Sequence, residues 1–184
     1  YADLVQRQTT TSYTPAEIHA LGLAEVARIG REIDGVIAQV GFQTTELNKR
    51  KAFFEWMRKE PRFQYADEPA LLRHYNGLKA GVNAALPRVF KAFPKSDFEI
   101  RPVEPFRAAS AAGGQYSAAA PDGSRPGIFY VNTFDLKSRP SYAAESLCLH
   151  EAMPGHHFQV ALAQEQESLP SFRRFGGGFT AYSE

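Results

Sequence analysis

A single cysteine, Cys148, stands among 184 residues. No disulfide can form within the chain, and a disulfide-stapled fold is excluded. Its apolar helical surroundings mark it as a buried, unreactive thiol. Charge of one sign is lacking too: 21 Lys and Arg face 20 Asp and Glu. That balance argues against a basic surface that holds nucleic acid. No apolar run approaches the ~20 residues of a membrane span. YADLVQRQTT has neither the basic start nor the apolar core of a secretory leader and is not expected to be one. An initiator methionine is also missing, and the final FTAYSE reads as the start of a helix. We therefore expect residues 1–184 to be a single region inside a larger domain.

What is present divides into three stretches: helical over 13–94, short strands over 97–133, and helices again over 141–184. Thr14, Pro15 and Glu17 spell a capped helix start. Val26, Ile29, Ile33, Ile37 and Val40 repeat at three and four, and Gly41 ends the run, so a helix is expected over 14–40. A second is expected over 45–60, stopped by Pro61. A third starts near Asp67 and carries Leu71, Leu72, Tyr75, Leu78, Val82 and Leu86. Pro87 kinks it or starts a further helix running to Phe93. DFEIRPVEPF, GGQYSAAAP and RPGIFYVNT are β-branched or aromatic runs separated by Pro, Gly and Asp-Gly turns. They predict two or three short antiparallel strands. DLKSRPS reads as a loop and FRRFGGG as a flexible loop. A helix is expected from Ser141 to about Ser168, interrupted at Pro154-Gly155, and a last one opening near Phe179. The fold class is mainly α, with a small antiparallel sheet before the histidine-rich helix.

That helix carries the chemistry. LCLHEAMPGHHFQVAL places three of the chain's five histidines and a glutamate in an apolar setting. Buried groups of this kind are costly without partners. A zinc site needs three N, O or S ligands at ~2.0–2.2 Å and one open position. Helical zinc sites of the HExxH type take their second ligand four residues after the first, but here that position is Pro154. Two arrangements resolve the spacing. Pro154 breaks a helical hydrogen bond, and a bulged turn then puts His156 where the second ligand sits. Alternatively the helix stays nearly regular and His157, seven residues on, returns to the face of His150. We favour the first. Glu151, directly after His150, takes the position of the general base that accepts a proton from the attacking water. A purely structural role for three histidines and a glutamate, or a metal site without catalysis, are the competing readings. The first would require several buried partners, and Glu151 speaks against the second, since a structural metal site has no use for an uncoordinated base beside its ligand.

YTPAEIHALGLAEVARI, DGSRPGIFYVNTFDLKSRPSYAAESLCLHEAMPGHHFQVALAQE and LPSFRRFGGGFTAYSE together resemble the bacterial domain-of-unknown-function family 885 over nearly the whole chain. The HEAxPGHHxQ-like motif is far more specific than a bare HExxH. The family looks like a distant relative of the gluzincin metallopeptidases: thimet-type oligopeptidases, angiotensin-converting enzyme and the helical zinc carboxypeptidases. The resemblance implies a helical domain with a deep cleft and one Zn2+. It implies His150 and His156 as paired ligands, Gly155-His156 resembling the GH of HExGH. Glu151 resembles the base. Glu184 matches the Glu of the family's AYxEGWALY segment and is thereby the third-ligand candidate. The motif is two residues longer than HExxH, which leaves His157 as the rival ligand.

By the same resemblance a strand beside the zinc helix pairs with an extended substrate. Tyr116, Tyr130 and Asn132, with Gln115, are the candidates for the substrate side of the cleft. Arg125 and Arg139 are read as solvated loop arginines rather than carboxylate binders. The expected activity is zinc-dependent hydrolysis of peptide bonds, as a carboxypeptidase or an oligopeptidase. The alternatives are hydrolysis of a small non-peptide amide, and a catalytically inactive metal-binding protein. The expected partner is a peptide or small amide. These 184 residues alone are expected to be inactive, because oxyanion-stabilising residues of the related peptidases come from helices beyond them.

Overall fold

Thr14 and Glu17 behave as their spacing predicts. The Thr14 amide donates to the Glu17 carboxylate at 2.7 Å, and the Glu17 amide donates back to the Thr14 hydroxyl at 3.3 Å. This reciprocal cap opens a helix in the computed structural model, which describes residues 1–176. These residues form two compact units, one of Tyr1–Lys59 and one beginning at Glu60.

The first unit holds α1 (Ala2–Thr9), α2 (Pro15–Gln39) and α3 (Lys49–Lys59). Its first helix has no counterpart in the sequence reading and buries no residue. Of the apolar series on α2, Ile37 is buried and Ile33 half-buried, while Val26, Ile29 and Val40 are exposed. The series identifies the helix without identifying what covers it. α3 starts later than position 45 because Asn48 caps it, its side-chain oxygen accepting the Lys51 amide at 3.0 Å. Phe42 leans on Phe53 and Trp56, ring centres 5.3 Å from each. Arg50 grips Asp34 through two nitrogens at 2.7 and 2.6 Å. Gly30 leaves the space, since a Cβ there would lie 2.5 Å from the Arg50 guanidinium.

The second unit holds α4 (Glu68–Ala85), β1 (Phe98–Pro102), α5 (Pro105–Ala108), β2 (Gly114–Ser117), β3 (Gly127–Val131), α6 (Ala144–Glu151), α7 (His156–Glu165) and α8 (Ser171–Phe175). All three expected strands form. The sheet is mixed rather than antiparallel, in the order β1-β3-β2, with β1 parallel to β3 and β2 antiparallel to it. β2 and β3 form a hairpin through the loop 118–126, in which Gly123 takes φ +75°. Between β1 and β3 the chain passes through α5 and β2, a crossover long enough for a parallel pair.

Three other expectations are corrected. The helix predicted to reach Phe93 stops in a single 3₁₀ turn, Leu86–Arg88, since Pro87 has no amide to continue it. DLKSRPS is not wholly loop: it holds the 3₁₀ turn Leu136–Ser138 and opens another at Ser141–Ala143. FRRFGGG is partly helical, because α8 is tied back to α7: Arg174 donates to the Gln164 carbonyl at 2.8 and 2.6 Å. The helix expected near Phe179 lies outside the described residues. The core joins α4, the sheet and α6 through Leu71, Tyr75, Phe98, Phe129, Val131, Ala144, Cys148 and Ala152. Cys148 is buried there, and burial pushes its thiol up to about 11, so it is an inert core residue.

Candidate metal centre

α6 and α7 would be one helix but for residues 152–155. The last regular bond of α6 runs from the Ala152 amide to the Cys148 carbonyl at 3.0 Å. The backbone then turns through a cis Met153-Pro154 peptide. The Gly155 amide reaches back six residues to the Leu149 carbonyl at 2.9 Å, and the His157 amide five residues to Ala152 at 3.0 Å. Pro154 supplies no amide, so the break falls where its missing hydrogen bond would have been. Gly155 is required by proximity: a Cβ there would sit 1.7 Å from the His150 carbonyl oxygen and 2.5 Å from that of Leu149. The end of one helix and the start of the next therefore meet backbone to backbone.

This close turn sets His150, one residue from the end of α6, beside His156, the first residue of α7. Their ring centres are 4.6 Å apart and the rings are nearly perpendicular, at 75°. His156 is half-buried, and its Nδ1 lies 3.1 Å from Oε1 of Gln159. With Nδ1–H donating to that oxygen, the lone pair is on Nε2, the tautomer in which that nitrogen can bind a metal. Gln159 was not singled out in the sequence, although its place three residues after His156 sets it on the same helical face. Glu151 closes α6, half-buried.

His157 has a different position. It is 1% exposed. Its Nε2 lies 3.0 Å from the Ser96 carbonyl oxygen, which can only accept, so Nε2 carries the proton. Nδ1 is then the acceptor and takes the Tyr116 hydroxyl at 2.8 Å. The ring also lies against Phe98, centres 5.1 Å apart. Burial lowers its pKa below that of an ordinary histidine and holds it neutral. Both ring nitrogens have protein partners, so the arrangement in which His157 is the second ligand does not match this geometry.

The substrate candidates do not converge. Gln115 pairs with Tyr130 and Tyr116 with Phe129. Side chains alternate along a strand, so Tyr116 points to one face of the sheet and Tyr130 to the other. Tyr116 is engaged with His157, and burial pushes its hydroxyl up to about 12. Tyr130 lies under the Arg107 guanidinium, 4.9 Å from the ring centre, and Arg107 also donates to Gln115 at 3.2 Å. Asn132 is 1% exposed and is a loop brace instead of a substrate contact. Its amide nitrogen donates to the carbonyls of Ala108 and Ala111 at 2.8 and 2.9 Å, and its oxygen accepts the Phe134 amide at 3.0 Å. Replacing Asn132 by Ala takes a partner from three backbone groups. The Ala108 carbonyl keeps the Ala111 amide at 3.4 Å, so two groups are left unpaired, and at ~1–3 kcal/mol each we predict a loss of roughly 2–6 kcal/mol, measured by denaturant unfolding of the full-length protein.

Arg125 and Arg139 serve loops as well. Arg125 donates to the carbonyls of Ala118 and Pro126, and Arg139 to that of Asn132. Glu184 lies outside the described residues. Among the described residues no group of three or more His, Cys, Asp or Glu side chains converges as a metal site. Among them, too, no helix is long and apolar enough to cross a membrane.

Residues 1–184 match the family described as "Bacterial protein of unknown function (DUF885)". The chain also superposes on the crystal structure described as that of "the putative lipoprotein from Colwellia psychrerythraea", with a TM-score of 0.89 and 35% identity. That match covers 100% of this chain and 32% of the other, so the chain spans about a third of the related structure's length. No curated protein is significantly similar to the chain.

Proposed function

The chain belongs to the bacterial DUF885 family, and on that premise we propose that it carries the metal-binding turn of a zinc-dependent peptide hydrolase related to the gluzincins. The observation that supports this most is the approach of His150 and His156 across the break at Pro154. Two imidazoles on one tetrahedral zinc, each bonded at ~2.0–2.1 Å, have ring centres roughly 5 Å apart. The 4.6 Å found here fits that arrangement, and so does a donor set of two imidazoles. His150 and His156 would hold the metal, with Glu184 as the third ligand.

When bound, the metal supplies Lewis-acid activation of water and of the scissile carbonyl. The chain's own groups do the rest. Glu151, next to His150 at the end of α6, takes a proton on its carboxylate from the attacking water and returns it to the leaving amine. Gln159 holds His156 in one tautomer. β2 is an edge strand of the sheet, and α6 packs beside it: a Cβ on Gly114 would lie 3.0 Å from the Leu147 side chain. An extended peptide adding to that edge would run alongside the helix that carries His150 and Glu151.

The proposal is tested by metal content. Full-length protein dialysed against zinc and then desalted should retain about one zinc per chain. His150→Ala and His156→Ala should each lose it. A protein with no retained zinc, or a His150→Ala variant that keeps it, would refute the assignment.

A further inference from the structure

His157 is built into the fold with more care than a spare core residue needs. Two separate stretches converge on its ring. The Ser96 carbonyl, in the segment before β1, takes the Nε2 proton, and the Tyr116 hydroxyl, on β2, donates to Nδ1. Gly127, on β3, leaves room for Tyr116, since a Cβ there would be 2.6 Å from the phenol oxygen. The Ser96 segment is itself fixed at both sides. The Lys95 amide donates to the Glu165 carboxylate at the far end of α7, at 2.7 Å. Lys79 on α4 reaches Asp97 at 2.9 Å and lies over the Phe98 ring. Residues 95–97 thus run beside α7 and hold its first and last turns.

This bears on the neighbouring residue. Successive side chains leave a helix about 100° apart, at 3.6 residues per turn. Locking His157 inward therefore fixes the rotation of α7 about its axis and with it the direction of His156. The turn before α7 adds only the two long-reach bonds of the Gly155 and His157 amides in place of regular helical bonding. We propose that the Tyr116–His157–Ser96 chain is a positioning device that aims His156 at the metal, with His157 itself never a ligand. The proposal rests on the zinc reading above and assigns roles to residues that reading leaves out.

The test uses Tyr116→Phe in the full-length protein, which removes one hydroxyl and keeps the ring. Zinc affinity is measured by competition with a chromophoric chelator, and ligand geometry by the visible spectrum of the cobalt-substituted protein. Loss of a hydrogen-bond partner of a ligating histidine typically weakens metal binding about 10–100-fold. Tyr116 acts one step further out, through His157, so Tyr116→Phe should weaken zinc binding about 10-fold, the low end of that range, and shift the cobalt bands. Asn132→Ala, which weakens the same unit without touching His157, should keep wild-type affinity and bands. His157→Gln, whose amide can still donate to Ser96, should bind zinc more tightly than His157→Ala. Wild-type zinc affinity in Tyr116→Phe, or an equal loss in Asn132→Ala, would overturn the positioning role while leaving the zinc reading intact. Failure of that reading has another signature: no zinc in the unaltered protein, or undiminished binding in His156→Ala.

Discussion

Glu151→Gln in the full-length protein will keep its zinc and its fold and will lose peptide-bond hydrolysis by at least ~10²–10⁴-fold, the range that general acid–base catalysis supplies. Gln preserves the length and shape of the side chain and still makes hydrogen bonds, but it cannot take a proton from water at neutral pH. The loss should fall mainly on kcat, because the missing interaction matters in the transition state rather than in substrate binding. Zinc measured on the same sample separates two failures. Near-normal hydrolysis by zinc-replete Glu151→Gln would end the role of Glu151 as base. Loss of zinc would make Glu151 a ligand and reassign the site.

Gly155→Ala should have the largest effect on structure of any methyl group added at a described glycine, since its Cβ contact is the shortest among them. The new Cβ would meet the His150 carbonyl oxygen at 1.7 Å and the Leu149 carbonyl oxygen at 2.5 Å. Both are backbone atoms at the end of α6, so no rotamer change relieves the contact. The start of α7 has to move away from the end of α6, and His156 moves with it. Adding atoms to a packed site typically costs about 1–3 kcal/mol and sometimes more. A rigid backbone contact belongs at the upper end, so we expect a loss of at least ~3 kcal/mol in unfolding free energy and no retained zinc. Gly22→Ala is the control, lying mid-helix in α2 with nothing within 4 Å of an added Cβ. It should be neutral or stabilising by ~0.4–1 kcal/mol. Zinc binding by Gly155→Ala at wild-type strength would mean that the close helix junction is not needed for the site.

Local chemistry made part of this legible in advance. Thr14, Pro15 and Glu17 are neighbours in sequence and in space, so the start of α2 could be read directly. Pro154 announces the helix break for the same reason. The break at Pro154 favoured His156 over His157, but the burial of His157 was not legible, because it depends on Tyr116 and Ser96, 41 and 61 residues away. Nothing local in GHHF shows which ring will be buried. The parallel pairing of β1 with β3 is equally non-local. Asn132 was a cleft candidate only through the family resemblance, and its bracing of the Ala108 and Ala111 carbonyls, more than 20 residues away in the chain, has no local signal. The apolar series on α2 shows the reverse limit: periodicity reveals a helix, and burial depends on what lies against it.

The central claim is that His150 and His156, not His157, hold a metal across the break at Pro154. It is tested most directly by anomalous scattering at the zinc edge from crystals of zinc-loaded full-length protein. The account predicts one strong peak within ~2.0–2.2 Å of a ring nitrogen of His150 and of His156. A Glu184 oxygen should complete the ligand set, and His157 should remain bonded to Tyr116 and Ser96. A zinc-replete crystal with no peak beside His150, or a peak on His157, would contradict it.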